Sequence, residues 1–139
     1  NMLPCNSPFE AAQKEIERIS KITPIIIVDF HAEVTSEKVA MGYFLDGRAS
    51  VVFGTHTHIQ TADEKILPGG TGYITDLGMT GPADSVLGMN KSIIVKRFLT
   101  GMPQKFEIAP GKGQFCGCIF TIDEKSGKCS DIERLYFYE

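Results

Sequence analysis

Apolar residues recur at three- and four-residue spacing over Phe9, Ala12, Ile16 and Ile19 in "SPFEAAQKEIERISK", which places them on one stripe of a helix. Ser7 stands where an N-cap belongs, Pro8 suits the first helical position, and Glu10 is placed to close a capping box. The charge run "KEIERISK" reads as the solvated face of that helix. In "TPIIIVDFH" the pattern changes to an unbroken apolar run from Ile25 to Val28, which predicts a strand buried on both faces. "TSEKVAMGYFLDG" predicts a second helix that Gly47 ends in the left-handed conformation, and "ASVVFG" predicts a second buried strand. Residues 8 to 54 therefore alternate helix, strand, helix, strand, as in an α/β fold with a parallel sheet.

The second half of the chain carries different signals. "ILPGGTGYITDLGMTGP" is glycine-rich, and Pro68-Gly69 fits the centre of a type II turn between short strands. A third helix is predicted over "NKSIIVKRFLTG", with Asn90 as cap and Gly101 as stop. "GQFCGCIFTID" and "CSDIERLYFYE", joined by "EKSGK", predict a C-terminal β-hairpin. Phe9, Phe44, Phe98 and Phe120 are assigned to the core. No internal repeat, low-complexity tract or long linker divides the chain, so one domain is expected.

The 139 residues carry 14 Lys and Arg against 17 Asp and Glu, a formal net charge of −3. That balance argues against stable binding of duplex nucleic acid, which requires a basic surface to neutralise phosphates. It is compatible with a small phosphate-containing substrate held through metal. No apolar run is long enough to span a membrane, and no secretory signal opens the chain, so a cytoplasmic protein with no membrane association is expected. Cys5, Cys116, Cys118 and Cys129 then read as free thiols. The Cys116-x-Cys118 spacing is not a common structural-zinc pattern, and buried small hydrophobes are the expected role.

The chemistry concentrates on the three histidines. His31 closes the first predicted strand in "DFHAE", and His56 and His58 follow the second in "GTHTH". All three fall at the carboxyl ends of strands, where open α/β sheets bind ligands. In an extended segment His56 and His58 would point to one side, and Gly54 permits a close backbone approach. Neutral imidazoles suit zinc, iron or manganese. The three could serve one metal, as in a mononuclear zinc hydrolase of amides or esters, or be divided between two. Asp29, Glu33, Asp63, Glu64 and Asp76 are candidate carboxylates, none singled out by spacing, and Asp29 suits an orienting partner better than a ligand. The glycine-rich "PGGTG" and "GMTGP" match neither a P-loop nor a dinucleotide fingerprint.

"GTHTH" with an upstream strand-end histidine resembles the last motifs of the calcineurin-like metallophosphoesterases. The longer block from "IVDFHAEVTSEKVAMGYF" through "TDLGMTGPADSVLGM" is similar to the YmdB-type branch, a bacterial family linked to 2',3'-cyclic nucleotide phosphodiesterase activity. The resemblance runs from about residue 8 to the C-terminus. It implies half of an αββα metallophosphoesterase sandwich, a mixed sheet with helices and the C-terminal hairpin, so that residues 1–139 form the C-terminal portion of one domain. It implies His31 and His56 as ligands of one metal and His58 as a ligand of its neighbour. The cofactors it implies are two divalent or transition metal ions, iron, manganese or zinc, and the substrate a small phosphodiester or cyclic nucleotide.

The family's early aspartate, bridging glutamate, asparagine and general-acid histidine have no counterpart in this chain. No catalytic acid is therefore assigned, and the 139 residues alone are expected to be inactive. Asn1, in place of an initiator methionine, fits a chain cut between the two halves of the sandwich, and an uncovered sheet face would favour homo-oligomers. Asp76 and Thr80, within the matching block, are candidates for shaping the substrate pocket. The competing reading is a noncatalytic metal-binding or protein-interaction module that keeps the histidines.

Overall fold

The computed structural model describes residues 6–139; Cys5 and the chain start lie outside the described residues. Helix α1 spans Pro8–Ile19, strand β1 Ile27–His31, helix α2 Thr35–Phe44 and strand β2 Val51–Thr55. Strands β3 (Lys65–Ile66), β4 (Gly72–Ile74) and β5 (Gly81–Pro82) are short. Helix α3 (Lys91–Thr100) and the long strands β6 (Gly113–Ile122) and β7 (Cys129–Tyr138) complete the chain.

The first sheet has the order β1-β2-β4-β3. The pairs β1–β2 and β2–β4 are parallel and β3–β4 is antiparallel, so the expected mixed sheet is present. Helices α1 and α2 cover one of its faces. The stripe of α1 works as predicted: Ile16 joins Ile26, Met41, Leu45, Val52 and Tyr73 in the core, with Phe9, Ala12 and Ile19 packed against it. Phe9 meets Phe44 and Phe30 edge-on, at 5.4 and 6.5 Å between ring centres. The second sheet, β5-β6-β7, contains the predicted hairpin. Tyr73 faces α2, so its neighbour Gly72 faces the opposite way, where a Cβ would come within 2.7 Å of Cys129 Sγ and 3.0 Å of Phe120. The hairpin therefore covers the sheet on the side away from the helices, in three layers: helices, sheet, sheet.

Several expectations fail for identifiable reasons. Ser7 occupies the N-cap position but makes no side-chain cap, so no capping box forms, and α1 begins on Pro8 at its first turn with Glu10 beside it. Strand β1 is not buried on both faces: it is the sheet edge, its exposure alternates, and Ile27 is 59% exposed. An apolar run cannot report whether a covering layer exists on each side. The turn before β4 closes through Gly70 N–H donating to Leu67 O. Its positive φ falls on Gly70 (100°) rather than Gly69, as in a three-residue hairpin loop. Helix α3 keeps its predicted caps, with Asn90 Oδ1 accepting from Ser92 N–H and Gly101 left-handed. Phe98, however, is 83% exposed and does not belong to the core, because Ile94 is the buried residue of that helix.

Candidate metal centre

The carboxyl ends of β1 and β2 lie side by side, with His31 paired in register to Thr55. This parallel pairing, produced by the α2 crossover, brings together residues 25 apart in the chain. His31 Nε2 and His56 Nδ1 are 3.1 Å apart, and their rings meet edge to face at 4.9 Å. Thr55 Oγ1 donates to Asp29 Oδ1 (2.9 Å) and lies 3.0 Å from His31 Nδ1. A threonine hydroxyl has one proton, and here the carboxylate takes it. The threonine oxygen must then accept from His31, so Nδ1 of His31 carries a proton and, in the neutral ring, Nε2 is the nitrogen with the lone pair, facing His56. A hydrogen bond of this kind to the far ring nitrogen is how metal-binding imidazoles are oriented.

His58 behaves differently. The chain leaves extended geometry after Thr55, and both His56 (φ 123°) and His58 (φ 64°) adopt positive φ. The two rings therefore do not follow the alternation of a strand, and the shared-side argument from spacing does not apply. His58 Nδ1 instead lies 3.3 Å from Leu87 O, and Leu87 itself has φ of 53°. Among the described residues these three are the non-glycine residues with positive φ. Such strain gathers at functional sites. Among the described residues no three His, Cys, Asp or Glu side chains converge as a metal-binding group.

Three of the candidate carboxylates, Asp63, Glu64 and Asp76, have partners of their own. Asp63 accepts from the hydroxyls of Thr61 and Thr75 and from Thr75 N–H. Burial pushes its carboxyl up, but those hydrogen bonds prevail and hold it below its ordinary value. Glu64 pairs with Arg134 at 3.2 Å, and Glu33 is exposed. Asp76 is fully buried and forms a 2.7 Å ion pair with Lys38, itself 1% exposed. Its Oδ2 also accepts from Thr57 N–H (2.9 Å), and its Oδ1 from Gly78 N–H (2.9 Å). Burial pushes this carboxyl up as well, and Lys38 with the two amides brings it below the ordinary range.

Gly54 permits that arrangement: a Cβ there would stand 1.9 Å from Thr75 O and 2.6 Å from Lys38 Cδ. The close approach expected of this glycine is thus real, toward β4 and Lys38. Thr80 stands apart from Asp76, lining a cavity of about 350 Å³ with Gly113, Phe115 and Phe137 but no histidine.

Lys38 and Thr55 were not singled out in the sequence. For Lys38 a signal existed: 38, 41, 42 and 45 follow the i, i+3, i+4, i+7 pattern of a buried helix face, and a lysine on such a face needs a partner. For Thr55 no pattern distinguishes it from an ordinary strand threonine.

On the hairpin, Cys116 and Cys129 are buried and Cys118 half-buried, all three with free thiols. Burial first, and then the Glu64 charge, push the Cys118 thiol up to about 11, which suits an inert thiol rather than a metal ligand. Among the described residues no helix is long and apolar enough to cross a membrane.

A family model described as YmdB-like protein matches residues 1–135. The chain is 53% identical over 132 residues to the 2',3'-cyclic-nucleotide 2'-phosphodiesterase of Bacillus subtilis (strain 168), a match that covers 95% of this chain and 50% of that protein. It superposes with a TM-score of 0.90 on the crystal structure of a hypothetical protein from Thermus thermophilus, at 41% identity, covering 99% of this chain and 53% of the other. The crystal structure of a novel phosphatase from Mycoplasma pneumoniae gives the same TM-score of 0.90 at 37% identity, covering 99% of this chain and 50% of the other. The chain spans about half the length of these relatives. With the fold, the strand-end histidines and a match over nearly all of its length, the chain belongs to the YmdB-like protein family.

Proposed function

We propose that the full-length protein is a metal-dependent phosphodiesterase acting on 2',3'-cyclic nucleotides or related small phosphodiesters. Within it, this chain supplies His31 and His56 to one metal ion and His58 to a second. The observation that carries the reading is the pairing of His31 Nε2 with His56 Nδ1 at 3.1 Å, with the His31 tautomer set by Thr55 and Asp29. Two imidazoles facing each other are, in their neutral form, a donor set that iron, manganese or zinc accepts. When bound, such ions would supply an activated hydroxide and polarise the phosphoryl group. His58, whose Nδ1 lies 3.3 Å from Leu87 O and which forms no three-residue cluster with His31 and His56 among the described residues, supports a divided ligand set over one three-imidazole zinc site.

A substrate-sized space adjoins His58. A cavity of about 370 Å³ is lined by His58, Ile59, Gln60, Arg134 and Tyr136, among others. Gln60 is fixed on its wall, with Nε2 donating to the carbonyls of Gly117 and Leu135. The remaining ligands and the general acid are assigned to parts of the full-length protein outside this chain, so residues 1–139 alone are inactive in this reading.

The test is metal content and hydrolysis of a 2',3'-cyclic nucleotide by the full-length protein. His31→Ala and His56→Ala are expected to lower turnover at least about 100-fold, the scale on which an orienting or ligating group acts, and to reduce bound metal. Full activity with either substitution, or efficient turnover by residues 1–139 alone, would count against the assignment.

A further inference from the structure

We propose that Lys38 and Asp76 form a buried positioning device for the His56–Thr57–His58 loop, which holds both imidazoles in the backbone geometry needed for coordination. The role in coordination rests on the function proposed above; the geometry does not. Thr57 lies between two residues with positive φ, and its N–H donates to Asp76 Oδ2. The other carboxylate oxygen takes Gly78 N–H, so one side chain ties the loop to the segment that follows β4.

A carboxylate with no solvent exposure is costly unless its charge is met. Lys38 meets it at 2.7 Å from the turn of α2 that also carries Met41 and Gly42. The lysine stem passes where a Cβ on Gly54 would be. The glycine that opens "GTHTH" therefore admits the group that steadies the rest of the motif. A pair serving fold stability alone would not need its carboxylate on the amide between the two histidines. Leu87, the third positive-φ residue, meets His58 through its carbonyl, so the loop is held on both flanks.

The experiment uses the full-length protein. In Lys38→Met/Asp76→Asn neither buried charge is left unpaired, and replacing a buried ion pair as a unit is often neutral for folding. The amide offers one acceptor oxygen where the carboxylate offered two. Expected are roughly 10- to 100-fold weaker Mn²⁺ binding by calorimetry and faster hydrogen exchange at the Thr57 and Gly78 amides in the metal-free protein. Leu45→Ala, a core substitution away from the loop, is expected to lower the thermal midpoint while leaving Mn²⁺ affinity within about twofold, since distant sites act independently.

Should the double variant not fold, Lys38→Gln/Asp76→Asn, which leaves no buried charge and keeps hydrogen-bonding groups at both positions, carries the same two expectations. Wild-type Mn²⁺ affinity together with wild-type exchange at Thr57 overturns the proposal. If His31→Ala and His56→Ala also bind Mn²⁺ as the wild type does, the metal reading fails, and exchange at Thr57 decides alone whether Asp76 holds the loop.

Discussion

Strands β1 and β2 are neighbours of equal length, parallel, and each leads into a histidine of the same pair. Their surroundings differ. Strand β2 is flanked by β1 and β4 and is largely buried, whereas β1 is the sheet edge with every second residue exposed. The histidine after β2 can take its position from the backbone, because Gly54 seats that strand against Thr75 and Lys38. The histidine on β1 has no such support and takes its orientation from side chains, through Thr55 and Asp29. Two histidines that meet at one strand edge can thus be held by different means: one by packing, the other by a hydrogen-bonded relay.

The largest effect is expected from breaking the packed side. Gly54→Ala places a methyl group where Thr75 O stands. The cost should reach about 3 kcal/mol, the upper end for overpacking, and appear as a lower urea midpoint. Should the variant be as stable as the wild type, β2 is not seated as described. Breaking the relay leaves the fold alone and loosens the other histidine. Thr55→Val keeps the shape of the side chain but removes the oxygen between Asp29 and His31, so metal affinity should fall about 10- to 100-fold with little change in thermal midpoint.

The smallest effect concerns acid. Asp63, bound to Thr61 and Thr75, is held below its ordinary value of 3.8 in the folded state. A depressed carboxyl contributes stability that is fully present above pH 3.8 and is lost as pH falls from there through its folded value. Amide protection at Thr75 should therefore weaken below about pH 4, on the β4 side of the sheet before the β1 edge, and Asp63→Asn should flatten that dependence.

Local chemistry in the chain was enough to place the elements and the three histidines. The apolar stripe of α1, the caps of α3 and the tail pattern each depend on residues within a few positions of one another, and the structure follows them. Apolar runs say less about their neighbours: the run at Ile25 to Val28 announces a strand but not that the strand lies at an edge, and Phe98 looks like core yet points outward. Burial depends on what packs against a residue, and that is decided by distant parts of the chain.

The site divides along the same line. That His31, His56 and His58 sit at strand ends is legible in the sequence, because strand ends are local. That His31 meets His56 while His58 turns to Leu87 follows from strand register and from backbone angles that depart from the extended form. The partnership of Lys38 with Asp76 spans 38 positions and exists because α2 crosses beneath β2 where Gly54 leaves room. A charge can be buried only where its counter-charge arrives, and that meeting is a property of the folded chain.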